Sequence, residues 1–204
     1  NSPTRSNARL FISTAANTAC SASRFVGNVL GVKSMSNSFF DSILYEKNAY
    51  DKKYPASITK IMTGFLAVEN SSLNDTVTFS HNSVFGIPAG SSIVGGINEG
   101  DQYSMEFCLY GLMLLSGNET AIAIAEHVAG TADKFAEMMN AKAKSLGCKD
   151  THFINPHGLH NEKHYTSAYD MALITKAAIQ NPDFKKFICT ATYDFPPTKT
   201  GEIR

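Results

Sequence analysis

Apolar residues first settle into a regular pattern just after position 56. Ile58, Ile61, Met62, Phe65 and Leu66 recur at i, i+3, i+4, i+7 and i+8, the spacing that lines one helix face against a core. Pro55 stands at the entrance, where its missing N–H leaves no helical bond unmade. The stretch 105–115 is apolar nearly all round, which predicts a buried helix. A second helix is expected over 118–128 with Gly130 as its stop, and a third over 131–146, capped by Thr131 and stopped at Gly147. A loop rich in His, Asn and Pro covers 151–165. The next helix is expected over 167–180, with Thr166 as its cap and Asn181-Pro182 as its end.

Other segments read as extended or irregular. Residues 71–104 are polar and Gly-rich and predict loops with small strands, and 42–46 predicts a short strand before a polar turn. Residues 1–40 are rich in Ser, Asn and Ala, with possible strands at 9–12 and 25–32. The last twenty residues turn β-like and then Pro-rich. No repeat is visible. A few strands around a long helical middle predict an α/β or α+β domain carrying a helical lobe.

Charge changes this picture by exclusion. Eighteen Lys and Arg balance eighteen Asp and Glu over 204 residues, so no field attracts a nucleic-acid backbone or an anionic membrane. Lys52-Lys53 and Lys185-Lys186 are the densest basic pairs. No apolar run approaches the length of a bilayer span. The chain begins with Asn, which suggests a processed product or a fragment. Four cysteines, Cys20, Cys108, Cys148 and Cys189, form neither a CxxC nor a Cys/His ligand pattern. Cys108, in an apolar run, reads as a buried inert thiol, and disulfide pairing stays open among three connectivities.

The sharpest chemistry is Ser57-Ile58-Thr59-Lys60. Positions i and i+3 share a helix face, so the Lys60 amine can reach the Ser57 hydroxyl. Serine attacks only once a base takes its proton, and a lysine can be that base if burial lowers its pKa. Taken alone, the tetrapeptide is also an ordinary capped helix start. Ser116-Gly117-Asn118 adds a second hydroxyl for proton relay and an amide able to bind a peptide group. It too could be a plain helix connection if it stood alone.

Together these segments resemble the active-site serine penicillin-binding proteins and serine β-lactamases. They are most similar to the low-molecular-mass D-alanyl-D-alanine carboxypeptidases (peptidase family S11). Tyr54-Pro55-Ala56-Ser57-Ile58-Thr59-Lys60-Ile61-Met62-Thr63 resembles their nucleophile segment, and 111–119 with 125–130 the surroundings of their second motif. Residues 151–159 and 164–172 resemble later signatures. The resemblance covers roughly 42–204, taken as a catalytic domain, and leaves 1–41 poorly matched. It implies a penicillin-binding-protein-like fold, an antiparallel sheet with a helical lobe, that works without a cofactor. Ser57 would be the nucleophile that becomes acylated and Lys60 its general base. Ser116 would pass a proton to the leaving nitrogen, and Asn118 would bind the acyl side of the substrate. The implied partners are the peptidoglycan stem pentapeptide and β-lactam antibiotics, at an extracytoplasmic site. Peripheral membrane association through a C-terminal segment is a further implication.

Lys199-Thr200-Gly201 spells the family's third motif, which would make Lys199 the lysine that binds the substrate carboxylate. Pro196-Pro197 just before it argue against a central strand there, and three residues follow it. The expectation is therefore that 193–204 lies upstream of the true motif and that the chain stops before the closing strands. Such a piece would hold the nucleophile yet react weakly. Three rivals remain. A serine β-lactamase is disfavoured by Gly117, where that class usually carries Asp, and by the lack of an identifiable deacylating Glu. A metal module could use His152, His157, His160 and His164. A peptidoglycan-binding domain without catalysis is the third.

Overall fold

A computed structural model of the chain describes residues 47–196. The strands expected at 9–12, 25–32 and 42–46 lie outside those residues, as does Lys199. Within them, a 3₁₀ turn at Ala56–Thr59 leads directly into α1, Lys60–Asn70. The apolar periodicity thus spans two kinds of helix, and the α-helix proper begins on Lys60. Every residue of α1 from Lys60 to Ala67 is buried.

Residues 71–104 form a small antiparallel pair, β1 (Thr76–Thr78) and β2 (Gln102–Ser104), with Val77 opposite Tyr103. Between them lies a short helix, α2 (His81–Phe85), capped by Ser80. Ser104 then caps α3 (Met105–Leu114), in which only Glu106 escapes full burial. α4 (Asn118–Ala129) buries its first eight residues and stops on Gly130, whose φ of 82° is the left-handed conformation that closes helices. Thr131 caps α5 (Ala132–Ser145) by accepting from the Lys134 amide, as expected.

Two helix boundaries differ from the sequence reading. α6 (Ala168–Ala178) is capped by Ser167, which accepts from the Asp170 amide. Thr166, one position early, instead bonds Thr151 through its hydroxyl at 2.7 Å. Asn181-Pro182 does not simply end a helix; it begins α7 (Pro182–Cys189). The Asn181 side chain accepts from the amides of Asp183 and Phe184, and Pro182 occupies the first helical position. Both are helix-start signals, so part of the expected β-like tail is helical.

α1, α3 and α4 make the core, with Met62, Leu109, Leu112 and Ile124 almost wholly enclosed. α7 covers α1 through Phe184, whose ring meets Phe65 edge-on at 6.3 Å between centroids. Gly64 permits that approach: a Cβ there would lie 3.1 Å from the Phe184 ring. Tyr193 then stacks on Tyr110 of α3 at 3.9 Å, and Phe195 packs on Phe107. Among the described residues no helix is long and apolar enough to cross a membrane, and Cys108, Cys148 and Cys189 are free thiols.

α7 is held by the enclosed rings of Phe184 and Phe187 and by the Asn181 cap, and the Phe184 ring and the cap can each be weighed by equilibrium urea unfolding. Phe184→Ala should destabilise by about 3–5 kcal/mol and Asn181→Ala by about 1 kcal/mol.

Candidate active site

The Ser57 turn is built under strain. Ala56 holds φ 48°, in the left-handed region that a side chain disfavours. The kink leaves Ser57 exposed while Thr59 and Lys60 turn inward. Lys60 is only 3% exposed, and its amine lies 3.3 Å from the Ser57 hydroxyl.

Three groups surround the Lys60 nitrogen. Besides Ser57, it donates to Asn118 Oδ1 at 2.7 Å and to the His157 carbonyl at 2.8 Å. Burial pulls its pKa down to about 7, with the Glu119 carboxylate pulling the other way. Near neutral pH, proton loss from this amine is therefore inexpensive.

The Ser116-Gly117-Asn118 step arrives from the opposite side. Ser116 has φ 57°, the second strained residue of the site. Its hydroxyl donates to Ser57 Oγ at 3.1 Å. The amide of Gly117 donates to the Gly111 carbonyl and that of Asn118 to Ser92, which fixes the step against α3 and the 92–96 segment. Gly117 is sterically required: a Cβ would fall 2.6 Å from the Thr120 hydroxyl.

The 151–166 segment closes the site from behind. Thr63 donates to the Pro156 carbonyl at 2.6 Å. His164 accepts the Ile154 amide on Nδ1, so its Nε2–H donates to Thr59 at 2.8 Å. Gly158, at φ 86°, presses on the backbone of the Ser57 turn, and a Cβ there would overlap the Ala56 carbonyl oxygen at 1.9 Å. Burial lowers both His157 and His164 to about 4, so both are neutral rings in the folded protein at neutral pH. The His cluster therefore makes separate contacts: His152 Nδ1 meets the Lys163 carbonyl and His157 accepts the Leu159 amide. Among the described residues no His, Cys, Asp or Glu cluster is arranged to hold a metal.

The structure thus brings Ser57, Lys60, Ser116 and Asn118 within hydrogen-bond reach of one another, and Lys199 falls outside the described residues. Spacing gave no hint of Thr59, Thr63, His164, Gly158 or the His157 carbonyl as supports of the turn. The signal available was the family-like text: His157, Gly158 and His164 lie in the runs 151–159 and 164–172, and Thr59 and Thr63 in 54–63.

The model of the D-alanyl-D-alanine carboxypeptidase (S11) family matches residues 37–200. The chain belongs to that family. The carboxypeptidase DacF of Bacillus subtilis is 39% identical over 158 residues, covering 74% of this chain and 39% of its own. Among solved structures, penicillin binding protein 6B from Escherichia coli superposes with a TM-score of 0.67 at 35% identity, over 72% of this chain and 49% of its own. The D-alanyl-D-alanine carboxypeptidase DacD from Francisella tularensis gives 0.67 at 37% identity, over 72% and 36%. The chain therefore spans about two fifths of the length of the DacF relative. This penicillin-binding-protein fold is mixed α/β, as the sequence predicts, with the small β1–β2 pair beside the helical lobe.

In this carboxypeptidase family member the two neutral histidines tie the site to acid stability. Their folded pKa values, about 4, lie below the ordinary 6.5, so the unfolded chain binds more protons between those limits. Stability should be fully present above about pH 6.5 and fall as pH drops toward 4. Thermal melts across that range should show a shallower decline for His164→Gln than for the wild type.

Proposed function

We propose that this chain carries the acylation site of a serine-type D-Ala-D-Ala carboxypeptidase, which removes the terminal D-alanine from peptidoglycan stem peptides. The observation that supports it best is the Lys60 amine, stripped of water and held between Ser57, Asn118 and a backbone carbonyl. A neutral amine keeps two N–H groups. The two short bonds, to Asn118 and to the His157 carbonyl, use both. The remaining lone pair then faces the Ser57 hydroxyl.

In this reading Lys60 takes the hydroxyl proton as Ser57 Oγ bonds to the carbonyl carbon of the D-Ala–D-Ala peptide. The carbonyl π pair moves to oxygen, where the Ser57 N–H supplies half of an oxyanion hole. Ser116 relays a proton to the departing nitrogen, the C–N bond breaks and D-alanine leaves. Asn118 serves two ends, its oxygen holding Lys60 and its amide binding the acyl side of the stem peptide. Water then attacks the ester, giving its proton back through Lys60, and Ser57 is regenerated. β-Lactams offer the same carbonyl with a tethered leaving group, so their acyl-enzyme persists. A peptidoglycan substrate places the enzyme on the extracytoplasmic side of the membrane.

Labelling of the full-length protein by fluorescent penicillin tests this. The acylation rate should rise with pH through about 7, as Lys60 loses its proton. Ser57→Ala should abolish the label, and Lys60→Met should slow it by about 10²–10⁴. Labelling that survives Ser57→Ala would reject the assignment, and rapid nitrocefin turnover would indicate a β-lactamase instead.

A further inference from the structure

Glu119 is the second residue of α4, directly after Asn118, and it is 3% exposed. A carboxyl buried this deeply is costly without partners. One oxygen, Oε1, accepts from the backbone amides of Val94 and, at 3.4 Å, Gly95. The other, Oε2, has no hydrogen-bond partner. The 92–95 segment is thus strapped to the start of α4 twice, by Glu119 and by the Asn118 amide on the Ser92 carbonyl.

Val94 is what the carboxyl strap holds in place. Its side chain is wholly buried, seated where α3 meets the Ser116-Gly117-Asn118 step. A Cβ on Gly111 would lie 2.6 Å from its methyl group, and one on Gly117 3.1 Å. The strap also borders a cavity of about 210 Å³, whose lining includes Val84, Ile87, Ile93, Gly95, Ile97 and Glu119. Where the segment borders that open space, the carboxyl supplies contacts that packing does not.

We propose that Glu119 is a positioning residue for the site, holding Val94 against Gly117 and so setting where Ser116 and Asn118 meet Ser57 and Lys60. The idea rests on the acylation roles proposed above for Ser57 and Lys60. The electrostatics agree with the geometry. Glu119 raises the Lys60 pKa against the effect of burial. Its own is raised by burial, with the backbone amides of Val94, Glu119, Gly95 and Thr120 opposing. The other titratable groups at the amine are His157 and, behind Thr59, His164, both on the 151–166 segment. Cys108 of α3 faces Glu119, and its thiol is pushed up by burial and by that carboxylate.

Two variants of the full-length protein separate strap from charge. Glu119→Ala removes both; Glu119→Gln keeps an acceptor for the two amides and removes the charge. Three readouts are needed: penicillin acylation rate, hydrogen exchange of the 92–96 amides, and Lys60 titration by NMR of its labelled side chain. Glu119→Ala should slow acylation about tenfold or more and speed exchange at Val94 and Gly95. Glu119→Gln should recover most of the rate and the exchange protection. It should also shift Lys60 titration to lower pH by about half a unit or more. Unchanged exchange in Glu119→Ala, or an unmoved Lys60 titration in Glu119→Gln, would overturn the proposal. The exchange and titration readouts need no substrate. A wild type that is not acylated would therefore reject the carboxypeptidase reading while these two still decide the role of Glu119.

Discussion

The dry seat of one amine organises this molecule. Lys60 lies at the first turn of α1, where its stem packs among core side chains and its nitrogen meets oxygen atoms from two distant segments. An ammonium enclosed this far would be a liability in an ordinary core, because removal from water penalises the charged form. Here the penalty is the useful quantity, since it brings protonated and neutral forms to similar free energies. The helices around it can be read as the apparatus that keeps water away: α3 and α4 on one side, the 151–166 segment on another.

The backbone strain has a matching logic. Ala56 and Ser116 both occupy left-handed conformations without being glycine, and they flank the two hydroxyls that meet at 3.1 Å. Each kink turns its hydroxyl toward the other instead of along its own helix. Such conformations persist only where neighbours over-determine them. Gly158 against the Ala56 carbonyl, and Val94 against Gly117, are the neighbours that do so.

Much of the lobe was legible because its signals are local. The i, i+3, i+4 spacing of Ile58, Ile61, Met62 and Phe65, the Gly130 stop and the Thr131 cap each act within one or two turns. Asn181-Pro182 misled because the pair that follows one helix also starts the next, and only the fold shows which role prevails. Thr166 lost its cap to Ser167 because its hydroxyl had a better partner in Thr151. Ser57 and Lys60 were readable as neighbours on one turn, and Ser116 and Asn118 only by family likeness. The contacts among His164, Thr59, Pro156 and Thr63 join residues 93 and 105 positions apart, a distance across which periodicity carries no information. Nothing in the sequence separates Glu119 from other acidic residues in the first turn of a helix; its burial is seen only in the fold.

The ledge formed by Gly158 also bears on the order of folding. Ser57, Lys60, Ser116 and Asn118 all precede it in the chain, so the core helices can assemble before residue 158 docks. Without that docking neither the His157 carbonyl nor the glycine surface would be in place, and an amine left open to water would keep the ordinary basicity of a lysine. Contacts that close loops of this length form late, because their entropy is lost before their bonds are gained. On the acylation roles proposed above, a chain without that docked segment would hold an unreactive serine, and nucleophilicity would belong only to the finished tertiary structure.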